Sequence, residues 1–225
     1  MKKVFKALAI IILPALLSAG CGKVNQLNAD NLNSGGIQSA TLQSQINLLP
    51  KEDLNASELS SLMLMREEEK LARDVYRTLY AKWNAAVFNN ISSSEQTHMD
   101  AVLILINRYG LTDPVKSDET GVFESVLMKN LYIQLTELGS KSLLDAYKVG
   151  ATIEDLDLFD LTNALTTVDN QDIRTVYASL SKGSRNHLRS FYTNIINAGG
   201  TYTPQYITQS EFEVIINSSM ETGRW

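Results

Sequence analysis

The chain has 225 residues, with 20 Lys+Arg against 25 Asp+Glu for a formal charge of −5, 44% hydrophobic residues, one cysteine and two histidines. That length buries one core with room for a tail, and a single cysteine excludes an intramolecular disulfide framework and any multi-cysteine zinc or iron–sulfur site. The acidic balance argues against nucleic-acid binding, which needs a basic face to displace counterions.

In chain order, residues 1–20 read as an export signal. Lys2, Lys3 and Lys6 precede an apolar run, Ala7–Ala19, that falls short of the roughly 20 residues of a membrane-spanning helix. Cys21 follows in Leu17-Ser18-Ala19-Gly20-Cys21. This is similar to a bacterial lipobox, in which the thiol is acylated and becomes the mature N-terminus, although Ser18 stands where that pattern carries Leu, Val or Ile. The expectation is an exported, membrane-anchored lipoprotein facing the periplasm or cell surface, with the charge falling from −5 to −8 as three lysines are removed. Residues 21–54 have much Asn, Gln and Ser and a Gly35-Gly36 pair. They read as the lipidated N-terminus and a flexible tether reaching on the order of 30 Å.

From residue 55 the pattern becomes helical. Asn55 is placed to cap and Glu58 to reach back, with Leu54 and Leu59 in staple positions. Leu62, Met65, Glu69, Ala72, Tyr76, Leu79 and Trp83 then recur at steps of three and four along one face. A second helix runs from near Ala86 to Tyr109 with the stripe Ile91, Glu95, His98, Val102, Leu105 and Tyr109, before Gly110 and Pro114. A short apolar helix covers about 123–138, and a third long helix about 141–168 carries Leu144, Tyr147, Ala151, Glu154, Leu158, Leu161 and Leu165. Asp169 is placed to cap the fourth, whose stripe is Ile173, Val176, Leu180, Ser184, His187, Phe191 and Ile195, closed by Gly199-Gly200. The fold class is therefore all-α: an antiparallel four-helix bundle over 55–200, a short extra helix between its second and third helices, and an extended C-terminal segment, 201–225, packed on the bundle.

Each long helix places an ionisable residue in its apolar stripe, and both histidines of the chain are among them. A buried, unpaired carboxylate costs several kcal/mol, so such a group is paired, neutralised or metal-bound. Glu95-Gln96-Thr97-His98 puts a carboxylate and an imidazole one turn apart on one face, the element with which bundles hold two iron or manganese ions beside a lone Glu from each of two other helices. Simpler readings exist for most members. Glu69 sits in the acidic run Glu67-Glu68-Glu69 and could pair with Arg73, Glu95 could close a capping box with Ser92, and His187 could be a satisfied core histidine. Glu154 has no cation a turn away on its own helix, since residues 150, 151, 157 and 158 are Gly, Ala, Asp and Leu.

Beyond this pattern, Glu69 and Tyr76 seven apart with Glu-x-x-His on the next helix resemble the ferritin-like superfamily. More narrowly, Glu67-Glu68-Glu69-Lys70-Leu71-Ala72-Arg73-Asp74-Val75-Tyr76, Ser94-Glu95-Gln96-Thr97-His98-Met99, Ser184-Arg185-Asn186-His187-Leu188 and Pro204-Gln205-Tyr206-Ile207 resemble an uncharacterised prokaryotic ferritin-like domain family over about 57–223. The resemblance implies a ferritin-like four-helix bundle with metal ligands Glu69, Glu95 (bridging), His98, Glu154 and His187, and with Tyr76 as a phenol next to them. Ferritin-like di-iron sites usually carry a second Glu-x-x-His, but the residue three before His187 is Ser184. Asp157 and Glu68 are the candidates for the missing bridge, with water or a single tightly bound ion as the other solutions.

Oxygen and imidazole donors without thiolate suit iron, with manganese or zinc as alternatives. The expected function is a lipid-anchored, ferritin-like metal protein that oxidises ferrous iron or reduces dioxygen or peroxide. The alternative is a non-catalytic metal-binding or structural lipoprotein of the cell envelope. Expected partners are metal ions, dioxygen or peroxide, and the membrane through the lipid, with a homodimer left open.

Overall fold

The computed structural model describes residues 39–222, which form seven α-helices and no strand. The stretch read as an export signal, Cys21 and the part of the expected tether up to residue 38 lie outside the described residues, as do residues 223–225. The helices are α1 (Ser39–Leu48), α2 (Ala56–Trp83), α3 (Ala86–Arg108), α4 (Val126–Gly139), α5 (Leu143–Leu165), α6 (Gln171–Asn197) and α7 (Gln209–Ile216). Among the described residues no helix is long and apolar enough to cross a membrane.

The first departure from expectation is α1, which occupies part of the stretch read as a tether. Its Leu42 and Ile46, one turn apart, are fully buried in a cluster with Val102, Leu105 and Ile106 of α3. Arg108 holds the end of this helix by donating to Asn47 Oδ1 and to the Leu49 carbonyl. Two apolar positions among polar neighbours are too sparse to register as a periodic stripe, but they suffice once a groove is present to receive them.

The α2 start is as the sequence predicts. Asn55 Oδ1 accepts from the amides of Ser57 and Glu58, and Glu58 Oε2 accepts from the Asn55 amide at 2.9 Å. The helix ends at Asn84, whose left-handed φ of 50° turns the chain into α3 after one further residue. At the start of α6 the expected cap by Asp169 is replaced. The N-cap is Asn170, without a side-chain cap bond, and the amides of Asp169 and Asn170 donate at 3.1 and 3.0 Å to Oε1 of Glu58. One buried carboxylate thus closes two helix N-termini, where it also meets the positive ends of both helix dipoles.

Packing partners are α2 with α3, α4 and α5, α5 with α4 and α6, and α6 with α3 and α7. Contacts between the long helices run in opposite directions along the chain. Arg66 reaches the Met99 carbonyl while Tyr76 meets Phe88 across α2 and α3, and Ser184 and Phe191 of α6 meet Asp157 and Gly150 of α5. Residues 202–207 are tied to buried Asp155 of α5, and α7 buries Phe212 and Ile215 against α6. Two apolar layers result. Leu62, Met65, Leu105, Leu161, Val176 and Leu180 belong to an aliphatic cluster. Tyr76, Phe88, Tyr147 and Phe191 form an aromatic one, with successive ring centroids 5.1–5.7 Å apart from Tyr76 through Phe191 and Phe88 to Tyr147. On α2, Glu69 lies one turn from Met65 and two turns from Tyr76, so the polar residues of the inner stripes occupy the level between the layers.

A carboxylate–histidine centre between the helices

The acidic run on α2 divides by helical phase. Lys70, Arg73 and Asp74 turn toward the connector after α3. Lys70 Nζ binds Asp74 at 2.5 Å and the Glu119 carbonyl, and Arg73 binds Asp74, Gln96 and Asp118. Arg73 is therefore engaged away from Glu69, and Glu69 faces inward. On α3 the helix begins at Ala86, nine residues before Glu95, so Glu95 is no part of a capping box. Ser92 instead donates to the Asn89 carbonyl.

The five expected ligands meet. His98 Nδ1 lies 2.7 Å from Glu95 and 3.2 Å from Glu69, and His187 Nδ1 lies 2.8 Å from Glu95 and 3.3 Å from Glu154. The His187–Glu95 approach is a charge contact without hydrogen-bond alignment. The imidazole centroids are 5.4 Å apart. Glu69, Glu95 and His98 offer three ligand atoms within 4.8 Å of one another, and Glu95, Glu154 and His187 offer a second such set. Glu95 is common to both, and all five residues are buried. Tyr76 donates from its hydroxyl to Glu154 Oε1 at 2.5 Å, holding that carboxylate from the aromatic side.

Two further carboxylates extend the cluster. Ser184 Oγ donates to Asp157 Oδ2 and to the Leu180 carbonyl, and Glu68 hydrogen-bonds Asp160. Among the described residues, Glu69 Oε1 and Glu68 Oε2 are buried without a hydrogen-bond partner.

The electrostatics follow from this crowding. Burial raises Glu69 well above the usual carboxylate range, and the charge of Asp157 pushes it further. Burial and the charge of Glu95 raise Glu154 to about 7. Burial lifts Asp157 to about 6 against the Ser184 hydrogen bond. Burial would also raise Glu95, but the imidazoles of His187 and His98 outweigh it and hold that carboxyl well below its ordinary value. Burial opposes charge on the imidazoles, yet Glu69 and Glu95 raise His98 well above its usual value, and Glu95 and Glu154 raise His187 to about 10. Three carboxylates thus share two imidazoles, and protons hold the remaining charge in check. Such a donor set fits a divalent cation, which would replace those protons and satisfy the orphaned Glu69 oxygen.

Several contributors escape the sequence argument. Ser94 Oγ sits 3.0 Å from His187 Nε2, the ring nitrogen turned away from the carboxylates. Gly183 makes room for His98: a Cβ there would lie 2.5 Å from its Cε1 and Nε2. Asp160 joins the cluster only through its position one helical turn beyond Asp157 and opposite Glu68. Each is legible only as a small or polar residue near an inner stripe, a signal shared by many residues with no such role.

The chain is similar to known proteins. The chain is 54% identical over 178 residues to the uncharacterised protein MJ0754 of Methanocaldococcus jannaschii, covering 79% of this chain and 96% of that one. The crystal structure of hypothetical protein MJ0754 matches with a TM-score of 0.76 at 55% identity, over 77% of this chain and 99% of that chain. The family model described as "Uncharacterized protein domain (DUF2202)" matches residues 58–219, a span that contains the whole carboxylate–histidine centre. With most of its length inside that match, the chain belongs to the DUF2202 family.

Proposed function

We propose that this protein is a ferritin-like four-helix bundle, built by α2, α3, α5 and α6, that binds two divalent metal ions at Glu69, Glu95, His98, Glu154 and His187. The observation that carries the reading is Glu95, shared between two three-donor sets, each of which contains its own imidazole. Carboxylate oxygens and imidazole without thiolate favour iron, with manganese or zinc as competitors. Iron held there supplies one-electron chemistry toward dioxygen or peroxide. The chain's own residues neutralise the ferric charge with carboxylates, orient Glu154 through Tyr76, and exclude bulk water by burial. The activity is oxidation of ferrous iron with dioxygen or peroxide as electron acceptor. The protein is exported and anchored by acylated Cys21, a reading that rests on the residues 1–21 pattern.

The test is metal content after loading with ferrous iron under anaerobic conditions, followed by addition of dioxygen or peroxide. Two equivalents per chain and consumption of the oxidant are expected. His98→Ala and His187→Ala should each lower the stoichiometry by about one. Fewer than half an equivalent on the wild-type chain overturns the metal reading. Full binding without oxidant consumption overturns the oxidoreductase reading and leaves a metal-binding lipoprotein.

A further inference from the structure

The α6 stripe has a gap that α5 is placed to fill. His187 stands one turn after Ser184, as His98 stands one turn after Glu95, but Ser184 is fully buried and brings no negative charge. Its hydroxyl is not idle: it donates to Oδ2 of Asp157, which lies one turn after Glu154 on the facing helix. We propose that Asp157, steered by Ser184, is the sixth protein ligand of the centre and supplies from α5 the second carboxylate bridge between the two ions. This rests on the metal reading above.

Three observations support the assignment. The first is placement. The Ser184–Asp157 hydrogen bond sets the Asp157 carboxyl at the α6 level from which a bridging side chain would otherwise project. A carboxylate accepts a hydrogen bond on one oxygen and still ligates with the other. The second is electrostatic reach. The Asp157 charge acts on Glu69 of the first donor set and on Glu154 of the second, which puts it near both. The third separates it from the other candidate. Glu68 is hydrogen-bonded to Asp160 across the α2–α5 seam, whereas Asp157 is hydrogen-bonded to Ser184 of α6. The α6 backbone presses against His98 at Gly183, next to Ser184. Asp157 belongs to neither three-donor set. Two divalent cations held there would attract its carboxylate.

The experiment titrates the full chain with manganese(II), and separately with ferrous iron in the absence of oxygen, reading stoichiometry by elemental analysis and affinity by calorimetry. The wild-type chain is expected to take two ions. Asp157→Asn keeps the volume and should retain one ion while weakening the second at least tenfold. Asp157→Glu should restore it in part, and Ser184→Ala should weaken the second ion by about 10-fold, as loss of an orienting hydrogen bond does. Unfolding of the metal-free variants checks that each is folded. A crystal structure of the manganese-loaded wild type, with anomalous scattering to place the ions, should show Asp157 oxygens bonded to both. Asp157→Asn binding two ions at wild-type affinity, or Asp157 oxygens beyond bonding distance of the ions, overturns the role of Asp157 and leaves the five-residue centre standing, whereas wild-type uptake near one ion overturns the two-ion reading as well. Uptake below half an equivalent removes both.

Discussion

At the scale of single residues, each histidine ring has its two faces assigned to different tasks. Nδ1 of both rings lies beside carboxylates, and Nε2 of His187 meets Ser94 Oγ at 3.0 Å. If a cation displaces the Nδ1 proton to solvent, Nε2 would keep its own and donate it to Ser94, which would hold the ring in the ligating tautomer. Ser94→Ala is therefore expected to lower metal affinity by about 10- to 100-fold while leaving the fold intact. Calorimetric titration with manganese(II) reads this directly, and an unchanged affinity would make Ser94 a bystander. His98 is fixed differently, by the close approach of Gly183, whose missing side chain lets α6 back the ring. Serine and glycine, the least conspicuous letters near the centre, set the orientation of its two imidazoles.

Elements are joined here by buried carboxylates that accept backbone hydrogens. Glu58 closes the N-termini of α2 and α6 together, so the two helices share one anchoring group. Asp155 does the same for the C-terminal segment. It accepts from the amides of Gln205, Tyr206 and Ile207 and from the Tyr202 hydroxyl, and it is fully buried on α5. Arg189 of α6 completes the attachment by donating to the Ile215 carbonyl at 2.8 Å. Asp155→Ala removes the acceptor and leaves those amides to find water. It should destabilise the protein by about 2–3 kcal/mol, as loss of hydrogen bonds to a charged group does. Hydrogen exchange should rise over residues 202–216 before it rises in α2 or α3. Uniform loss of protection across all helices would show that the segment has no separate stability.

Across the whole molecule, the centre couples stability to pH. The folded-state values of Glu154 and Asp157 are raised, to about 7 and about 6, from ordinary values of 4.5 and 3.8. A raised value means the folded state holds the proton more tightly. That stabilisation is complete below the unfolded value and is lost as pH climbs through the folded one. His187, raised to about 10, acts with the same sign at higher pH. Glu95 is depressed and acts oppositely, withdrawing stability only as pH falls below its ordinary carboxylate range. The metal-free protein should therefore melt at a lower temperature at pH 7.5 than at pH 5. On the proposed reading, bound cations displace these protons, so affinity rises with pH and the gap in melting temperature between loaded and metal-free protein widens over the same interval. Thermal unfolding at both pH values, with and without manganese(II), measures this. A gap independent of pH would mean that binding releases no protons from the centre.

Helix existence and inward faces were legible without any structure, because a period of 3.6 residues with apolar steps of three and four admits one solution for α2, α3, α5 and α6. The α2 capping box was legible for the same local reason, its donors and acceptors lying within three residues. The five inward-facing ionisable residues also stood out, since a charge within an apolar stripe needs an explanation. Contacts between distant parts of the chain were not available to that reasoning. Glu58 displaces Asp169 as the group that closes α6 from 111 residues away, and Ser94, Gly183 and Asp160 acquire roles through neighbours on other helices. The α1 helix, with two buried apolar residues, exists because α3 offers a surface for Leu42 and Ile46, a condition its own ten residues cannot express. Local periodicity by itself determined which residues face inward. Only the tertiary structure decided which of them meet, because the meeting depends on the register between helices and on side chains hundreds of atoms apart in the chain.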